Sequence, residues 1–153
     1  GFKHMWQAKI EPRYPIGWGL SYTTFEHGAP AVTSDGDTVK VAVEVRNTGK
    51  VNGTETVQVY VVCETCKRER LPIQLVAFGK ARNLQPGEAG KVEMSFSAKD
   101  LAIFDPKADR WVLEAARYRI LAGPHLSAPA LKGAEYVVEA ESSFDYALAK
   151  PDF

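Results

Sequence analysis

Residues 38–49 read TVKVAVEVRNTG. Val39, Val41, Val43 and Val45 alternate with Lys40, Ala42, Glu44 and Arg46. Successive side chains of a strand point to opposite faces, so β-branched residues at every second position mark a strand with one buried face. Asn47-Thr48-Gly49 then supplies turn chemistry, glycine being free to take positive φ, and Gly53 marks a second turn.

The same period continues downstream. Thr56–Val62 (TVQVYVV) puts Val57, Val59 and Val61 on one face and Gln58, Tyr60 and Val62 on the other. Ile73–Phe78 (IQLVAF) predicts a short apolar strand closed by Gly79. Gln85-Pro86-Gly87-Glu88 is a turn, and Lys91–Phe96 alternates Val92, Met94 and Phe96 inward. Ser97 to Asp100 has the form of a capping box, which predicts one helical turn before Leu101. Trp111–Leu113, Tyr118–Ala122 and Ala134–Glu139 complete the series, with Trp111 expected in the core. Seven or eight short strands from Phe25 onward, separated by turns, predict an all-β antiparallel β-sandwich.

The first 28 residues differ. Phe2, Trp6, Tyr14, Trp18, Tyr22 and Phe25 share the segment with Pro12, Pro15, Gly17 and Gly19. That spacing excludes a long helix and predicts an extended, turning aromatic arm. The expected division is an arm over 1–28, a sandwich over 29–140 and a tail over 141–153, the tail either docked through Phe144 and Tyr146 or frayed beside Pro151. The rings of the arm pack either on one end of the sandwich or on a neighbouring domain.

Composition narrows the functional classes. The chain has 153 residues, and 19 Lys and Arg balance 19 Asp and Glu, so the net charge is zero. A strongly basic nucleic-acid binder and an acidic disordered tail are both excluded. No apolar run is long enough to span a bilayer. Lys3, His4, Gln7 and Lys9 break any signal-peptide core at the N-terminus, yet a mature or excised chain would lack its signal. Neither nucleic acid nor membrane is an expected partner.

Residues 10–25, IEPRYPIGWGLSYTTF, resemble the segment I-x-P-x-(F/Y)-P-(F/I)-G-x-G-L-S-Y-T-x-F of glycoside hydrolase family 3 enzymes of the β-glucosidase type. In that family the segment leads into a terminal fibronectin type III-like domain. Val43 to Gly53 is similar to its V-x-V-x-N-T-G-x-x-x-G hairpin, and Glu55–Val61 to its E-V-V-Q-L-Y-V strand. Leu75–Lys80, Leu84–Glu88, Trp111-Val112 and Tyr118–Gly123 also match, so the resemblance covers residues 1–123. Ala77 stands where the family has Gly, and Ala115-Ala116-Arg117 where it has P-G or A-G. The loop Cys63–Leu71 and the long C-terminal end also depart from it.

The resemblance implies a fibronectin type III-like, immunoglobulin-like sandwich in a non-catalytic, stabilising role. The catalytic domains of a family 3 glycosidase are the implied partner, and an extracellular location is expected. It also implies that no catalytic residue lies in this chain. The family's nucleophile sits on a barrel of roughly 250 residues, for which there is no room. No cofactor or metal is expected. Two other readings stand beside it: a polysaccharide-binding module and a stand-alone interaction domain derived from such an enzyme.

Glycoside hydrolysis needs two carboxyl groups roughly 5 to 9.5 Å apart across a sugar pocket. Asp105, Asp109 and Glu114 sit near predicted turns and read as solvated carboxylates. His4, His27 and His125 accompany no nucleophile elbow. Cys63-x-x-Cys66 is compatible with a local disulfide, free thiols, half a zinc site or a redox motif. Lys67-Arg68-Glu69-Arg70 reads as a solvated charged tip, and Asn52-Gly53-Thr54 is an N-glycosylation sequon. Trp6, Trp18 and Tyr22 are the candidates for stacking on sugar rings or packing on a neighbouring domain.

Overall fold

The computed structural model describes residues 1–126 and 128–145, the side chains of Trp6 and Ala128 excepted. Tyr146 and Pro151, expected to take part in the tail, lie outside the described residues. The strands among these residues are β1 (Phe25–His27), β2 (Ala31–Asp35), β3 (Thr38–Asn47), β4 (Gly53–Cys63), β5 (Gln74–Leu84) and β6 (Ala89–Ser97), followed by β7 (Ile103–Asp105), β8 (Arg110–Leu113), β9 (Ala116–Gly123), β10 (Lys132–Val138) and β11 (Ser142–Phe144). A helix α1 (Phe2–Gln7) precedes them. No helix among the described residues is long and apolar enough to cross a membrane.

β3 is the axis of the first sheet. β6 pairs along one side of it, while β2 and then β1 share the other side, β2 against Thr38–Ala42 and β1 against Val45–Asn47. The second sheet runs β10-β9-β4-β5, every pair antiparallel. Val39, Val41, Val43 and Val45, all buried, face Val57, Val59, Val61, Tyr118 and Ile120 across the sandwich. This is the face the valine alternation predicted. A third small sheet, β11-β8-β7, closes one end, so the start of the tail docks as a strand on β8.

Three local expectations are corrected. The arm is not extended throughout: Phe2–Gln7 form a short helix, where the Gly1 carbonyl accepts from the His4 and Met5 amides ahead of the first proline. β5 does not end at Gly79 but runs through it to Leu84. Gly79 is a gap in the side-chain layer, because a Cβ there would lie 2.7 Å from Cγ1 of Val92. Trp111 is not in the core. It is half-buried and packs edge-on to the exposed Phe104, their centroids 5.9 Å apart, while Val112 and Leu113 fill the interior.

The outer face of β4 builds a second, smaller core. Tyr60 is fully buried with Ile73 and Leu126, and Phe2 of α1 meets its ring edge-on at 6.4 Å. Burial pushes the Tyr60 hydroxyl up to about 12. That hydroxyl donates to Oε1 of Gln58, whose Nε2 donates to the Pro124 carbonyl at 3.2 Å. The chain of polar contacts therefore runs from the buried ring to the loop after β9. The predicted capping box is present. Ser97 Oγ accepts from the Lys99 amide and Asp100 Oδ2 from the Ser97 amide, and the 3-10 turn Ala98–Leu101 follows.

Asn47, at the end of β3, is 0% exposed and fully bonded. Its Nδ2 donates to the Val51 and Leu84 carbonyls, each at 2.8 Å, and its Oδ1 accepts from Thr23 Oγ1 at 2.7 Å and from the Gly49 amide at 3.0 Å. Gly49 is required here for close approach rather than for positive φ, since a Cβ would lie 2.8 Å from the Thr24 amide nitrogen. Truncating this amide strands the Thr23 hydroxyl and the Leu84 carbonyl in the interior, at ~1–3 kcal/mol for each group left unmet, while the Val51 carbonyl and the Gly49 amide lie nearer to water. Asn47→Ala is therefore expected to lower the unfolding free energy by about 3 kcal/mol, and Thr23→Val by about 1 kcal/mol. Urea denaturation measures both, and a loss below about 1 kcal/mol for Asn47→Ala would remove the residue from this role.

Candidate functional site

The arm is tied down at two points and exposed between them. Upstream, the Ile16 carbonyl accepts from the Leu126 amide at 2.9 Å. Downstream, Thr23 bonds to Asn47, the Thr24 carbonyl accepts from the Thr48 amide at 2.9 Å, and the two threonine hydroxyls meet at 2.9 Å. Residues 18–22 bridge these anchors as a strap. Leu20 on the strap is 96% exposed and Tyr22 is 99% exposed. Ile10, Tyr14, Ile16 and Trp18 extend the apolar surface, with Tyr14 and Trp18 stacked at 6.4 Å and Arg13 over the Tyr14 ring.

Behind the strap lies a cleft of about 470 Å³ between the arm, β1, β4 and residues 124–125 and 129–132. Trp18 is 48% exposed at its rim and meets His125 edge-on, their ring centroids 5.1 Å apart. His27 closes the floor at 9% exposure. Nε2 of His27 and Nδ1 of His125 are both buried without a hydrogen-bond partner. Burial, then the positive charge of Lys132 and the neighbouring His125, hold the His27 imidazole below its usual pKa of 6.5. Glu55, also in the lining, is shifted upward by burial against a smaller opposing pull from the Thr56 amide.

The sequence reading named Trp18 and Tyr22, and the structure places both on the strap. Trp6 sits on α1, away in sequence from them, and its side chain lies outside the described ones. In the sequence His27 and His125 accompany no nucleophile elbow. The structure brings them together with Trp18 along one cleft. The available signal was position: His27 ends a short run, Phe25-Glu26-His27, whose alternation turns it inward. Asn52 is exposed, but its Nδ2 donates to the Asn83 carbonyl at 2.9 Å, while Thr54 Oγ1 accepts from the Asn83 amide at 3.1 Å. His4 is exposed on α1.

A second polar cluster corrects two expectations. Glu114 is not solvated but 3% exposed. Its carboxylate accepts from the Lys67 amide at 2.9 Å and the Arg68 amide at 3.2 Å, and it pairs with the Arg70 guanidinium. Burial alone would raise its pKa, but these amides and Arg70 together hold it below the usual carboxylate value. The 67–70 stretch is accordingly a pinned loop rather than a free tip. Arg70 also donates to the Leu101 carbonyl at 3.0 Å, and Arg68 reaches Glu141 and Asp105. Cys63 and Cys66 are joined as a disulfide at the mouth of this loop. Asp105 caps its own turn by accepting from the Lys107 amide, and Asp109 is exposed. No group of three or more His, Cys, Asp or Glu among the described residues is arranged to hold a metal ion.

Comparison with known proteins agrees with this architecture. Residues 55–125 match the family model of the fibronectin type III-like domain. The β-glucosidase BoGH3A of Bacteroides ovatus is 36% identical over 124 residues, covering 78% of this chain and 16% of the relative. β-Glucosidase B of Emericella nidulans is 38% identical over 111 residues, covering 72% and 13%. The chain thus spans less than a fifth of the length of these relatives. Among solved structures, β-glucosidase 3B of Thermotoga neapolitana superposes with a TM-score of 0.87 at 35% identity, over 95% of this chain and 20% of that one. The β-glucosidase of Kluyveromyces marxianus gives 0.86 at 31% identity, over 94% and 17%.

His27 and Glu114 each set a pH dependence, while Glu55, raised by burial, works in the opposite sense above pH 4.5. His27 has a lowered folded pKa, so below pH 6.5 the unfolded chain takes up a proton that the folded chain refuses, and stability falls. Glu114 also has a lowered folded pKa, so its contribution is present above pH 4.5 and is lost as pH falls through the folded value. A plot of urea midpoint against pH should decline first below pH 6.5 and again below pH 4.5. His27→Gln should flatten the upper decline and leave the lower one. An upper decline unchanged in that variant assigns it to another group.

Proposed function

The chain belongs to the fibronectin type III-like domains of family 3 β-glucosidases, and from that membership we propose that it serves as a non-catalytic accessory domain docked on the catalytic part of such an enzyme. The observation that carries this reading is the strap. The valines, Tyr60 and Leu126 are buried inside the domain, whereas Leu20 and Tyr22 project almost wholly into solvent from a segment held at both ends. Contiguous exposed apolar surface on a fixed scaffold marks an interaction site. Burying two such side chains contributes roughly 1.5–3 kcal/mol each, enough to stabilise a neighbouring domain measurably.

The same reading assigns chemistry elsewhere. Glu114, the one buried carboxylate among the described residues, is engaged by the Lys67 and Arg68 amides and by the Arg70 guanidinium. The arm over 1–28 is the docking element, the sandwich over 29–140 its scaffold, and Ser142–Phe144 at the start of the tail a further covering strand. An extracellular setting fits the Cys63–Cys66 bond, because disulfides persist in oxidising compartments.

The test uses the full polypeptide that carries this segment. Leu20→Asp combined with Tyr22→Asp should lower the melting temperature of the whole enzyme by several degrees and shorten its working lifetime, while this chain alone melts as before. Differential scanning calorimetry reads the first and circular dichroism the second. An enzyme that keeps both its melting temperature and its rate, with the pair substituted or with the chain deleted, overturns the accessory role.

A further inference from the structure

The geometry points to a reversible thiol–disulfide exchange site at Cys63 and Cys66, with a small monothiol as its reductant and the matching disulfide as its oxidant. Cys63 ends β4 opposite Tyr118, and Cys66 lies in the loop beyond it. Both cysteines are half-buried, and Glu64 and Thr65 between them are exposed. The bridged turn therefore stands at the domain surface, open to a small thiol.

The fold gains little from this bond. A disulfide stabilises by closing a loop in the unfolded chain, and the gain grows with loop length. Here the sequence separation is only 3. Linkage is reciprocal, so a bond that adds little to the fold receives little protection from it. The turn is also held by contacts that do not involve the bond. The Glu64 amide donates to the Arg117 carbonyl at 2.9 Å, and Thr65 Oγ1 accepts from the Arg117 amide at 2.9 Å. Glu64 pairs with Arg119 at 2.6 Å, and beyond Cys66 the Lys67 and Arg68 amides are fixed by Glu114. Reduction thus leaves two thiols side by side on a standing scaffold, placed to close again.

The leaving sulfur is marked as well. The Cys66 amide donates to Cys63 Sγ at 3.1 Å, and a hydrogen bond of that kind stabilises negative charge on the sulfur. The Arg117 carbonyl, 3.7 Å from the same sulfur, is already taken by the Glu64 amide. A monothiolate attacks Cys66 Sγ, the protein S–S bond breaks, and its electron pair leaves on Cys63 Sγ. A second monothiolate attacks the small-molecule sulfur of the mixed disulfide and expels Cys66 as thiolate. Two monothiols are oxidised to their disulfide, one protein disulfide is reduced, and the two protons they give up end on the two cysteines. Reoxidation runs the same steps in reverse, with Cys63 as the resolving nucleophile.

This site does not rest on the docking role, since Leu20 and Tyr22 take no part in it. The 153-residue chain is equilibrated in glutathione buffers running from fully oxidised to fully reduced, starting from either state. Free thiols are trapped by alkylation and counted by mass, while circular dichroism follows the fold. The expected result is one two-thiol transition within that range, the same from both directions, with the sandwich folded throughout. At neutral pH, Cys63 in a Cys66→Ser chain should be alkylated several-fold faster than Cys66 in a Cys63→Ser chain. The inference is overturned by a bond that stays closed in fully reduced glutathione until urea unfolds the chain. A pair that stays reduced in fully oxidised glutathione, or a sandwich that unfolds as the thiols appear, overturns it equally. Cys63 reacting no faster than Cys66 removes the assigned leaving sulfur and with it the exchange route.

Discussion

A single side-chain amide holds the parts of this domain in register. Asn47 ends the central strand of the first sheet, and all four hydrogen-bonding positions of its carboxamide are filled, by Thr23, Gly49, Val51 and Leu84. Its own backbone completes the set, the amide donating to the Glu88 carbonyl and the carbonyl accepting from the Gly87 amide. The arm, the turn after β3, the end of β5 and the β5–β6 turn therefore meet at one residue. A hydrophobic side chain could fill the same space, but it could not specify which carbonyl lies where. Buried amides of this kind fix geometry because each unmet group is penalised, so only one arrangement of the surrounding segments is low in energy.

Glu114 plays a similar part at the opposite end of the chain's polar interior. It gathers two amides and a guanidinium and thereby fixes a loop that the sandwich itself does not require. The contrast with the histidine cleft is instructive. The polar atoms of Asn47 and Glu114 are met by the protein, whereas Nε2 of the buried His27 and Nδ1 of the half-buried His125 are not.

The layered fold was legible in the sequence because its signal is local and periodic. Val39 to Val45 needed only neighbours two positions away to declare a buried face, and the same held for Val57–Val61 and Val92–Phe96. Features set by distant contacts were not legible. Gly79 read as a stop because glycine usually punctuates, whereas here it makes room for Val92 on the next strand. Glu114 read as solvated because nothing beside it announces amides nearly fifty residues upstream. Trp18 and Tyr22 stood out by composition alone, while the pairing of His27 with His125 depends on the arm, β1 and the loop after β9 converging in space. The helix Phe2–Gln7 is too short for periodicity to reveal and is stabilised by Phe2 packing on Tyr60.

The pairing of β4 with β9 joins positions about sixty residues apart, Val59 opposite Ala122 being one such pair. Contacts of that sequence separation form late, because the intervening chain must surrender its freedom before they repay it. Hairpins such as β4–β5 can form early, but the sandwich closes only when β9 arrives. Gln58 and Pro124, and Ile16 and Leu126, then come within bonding distance on the outer side of that same pair. The upstream anchor of the strap is thus among the last structures to be made, and the apolar side chains it displays take their fixed positions only after the interior is complete. A polypeptide built this way displays Leu20 and Tyr22 in fixed positions only once its interior has closed.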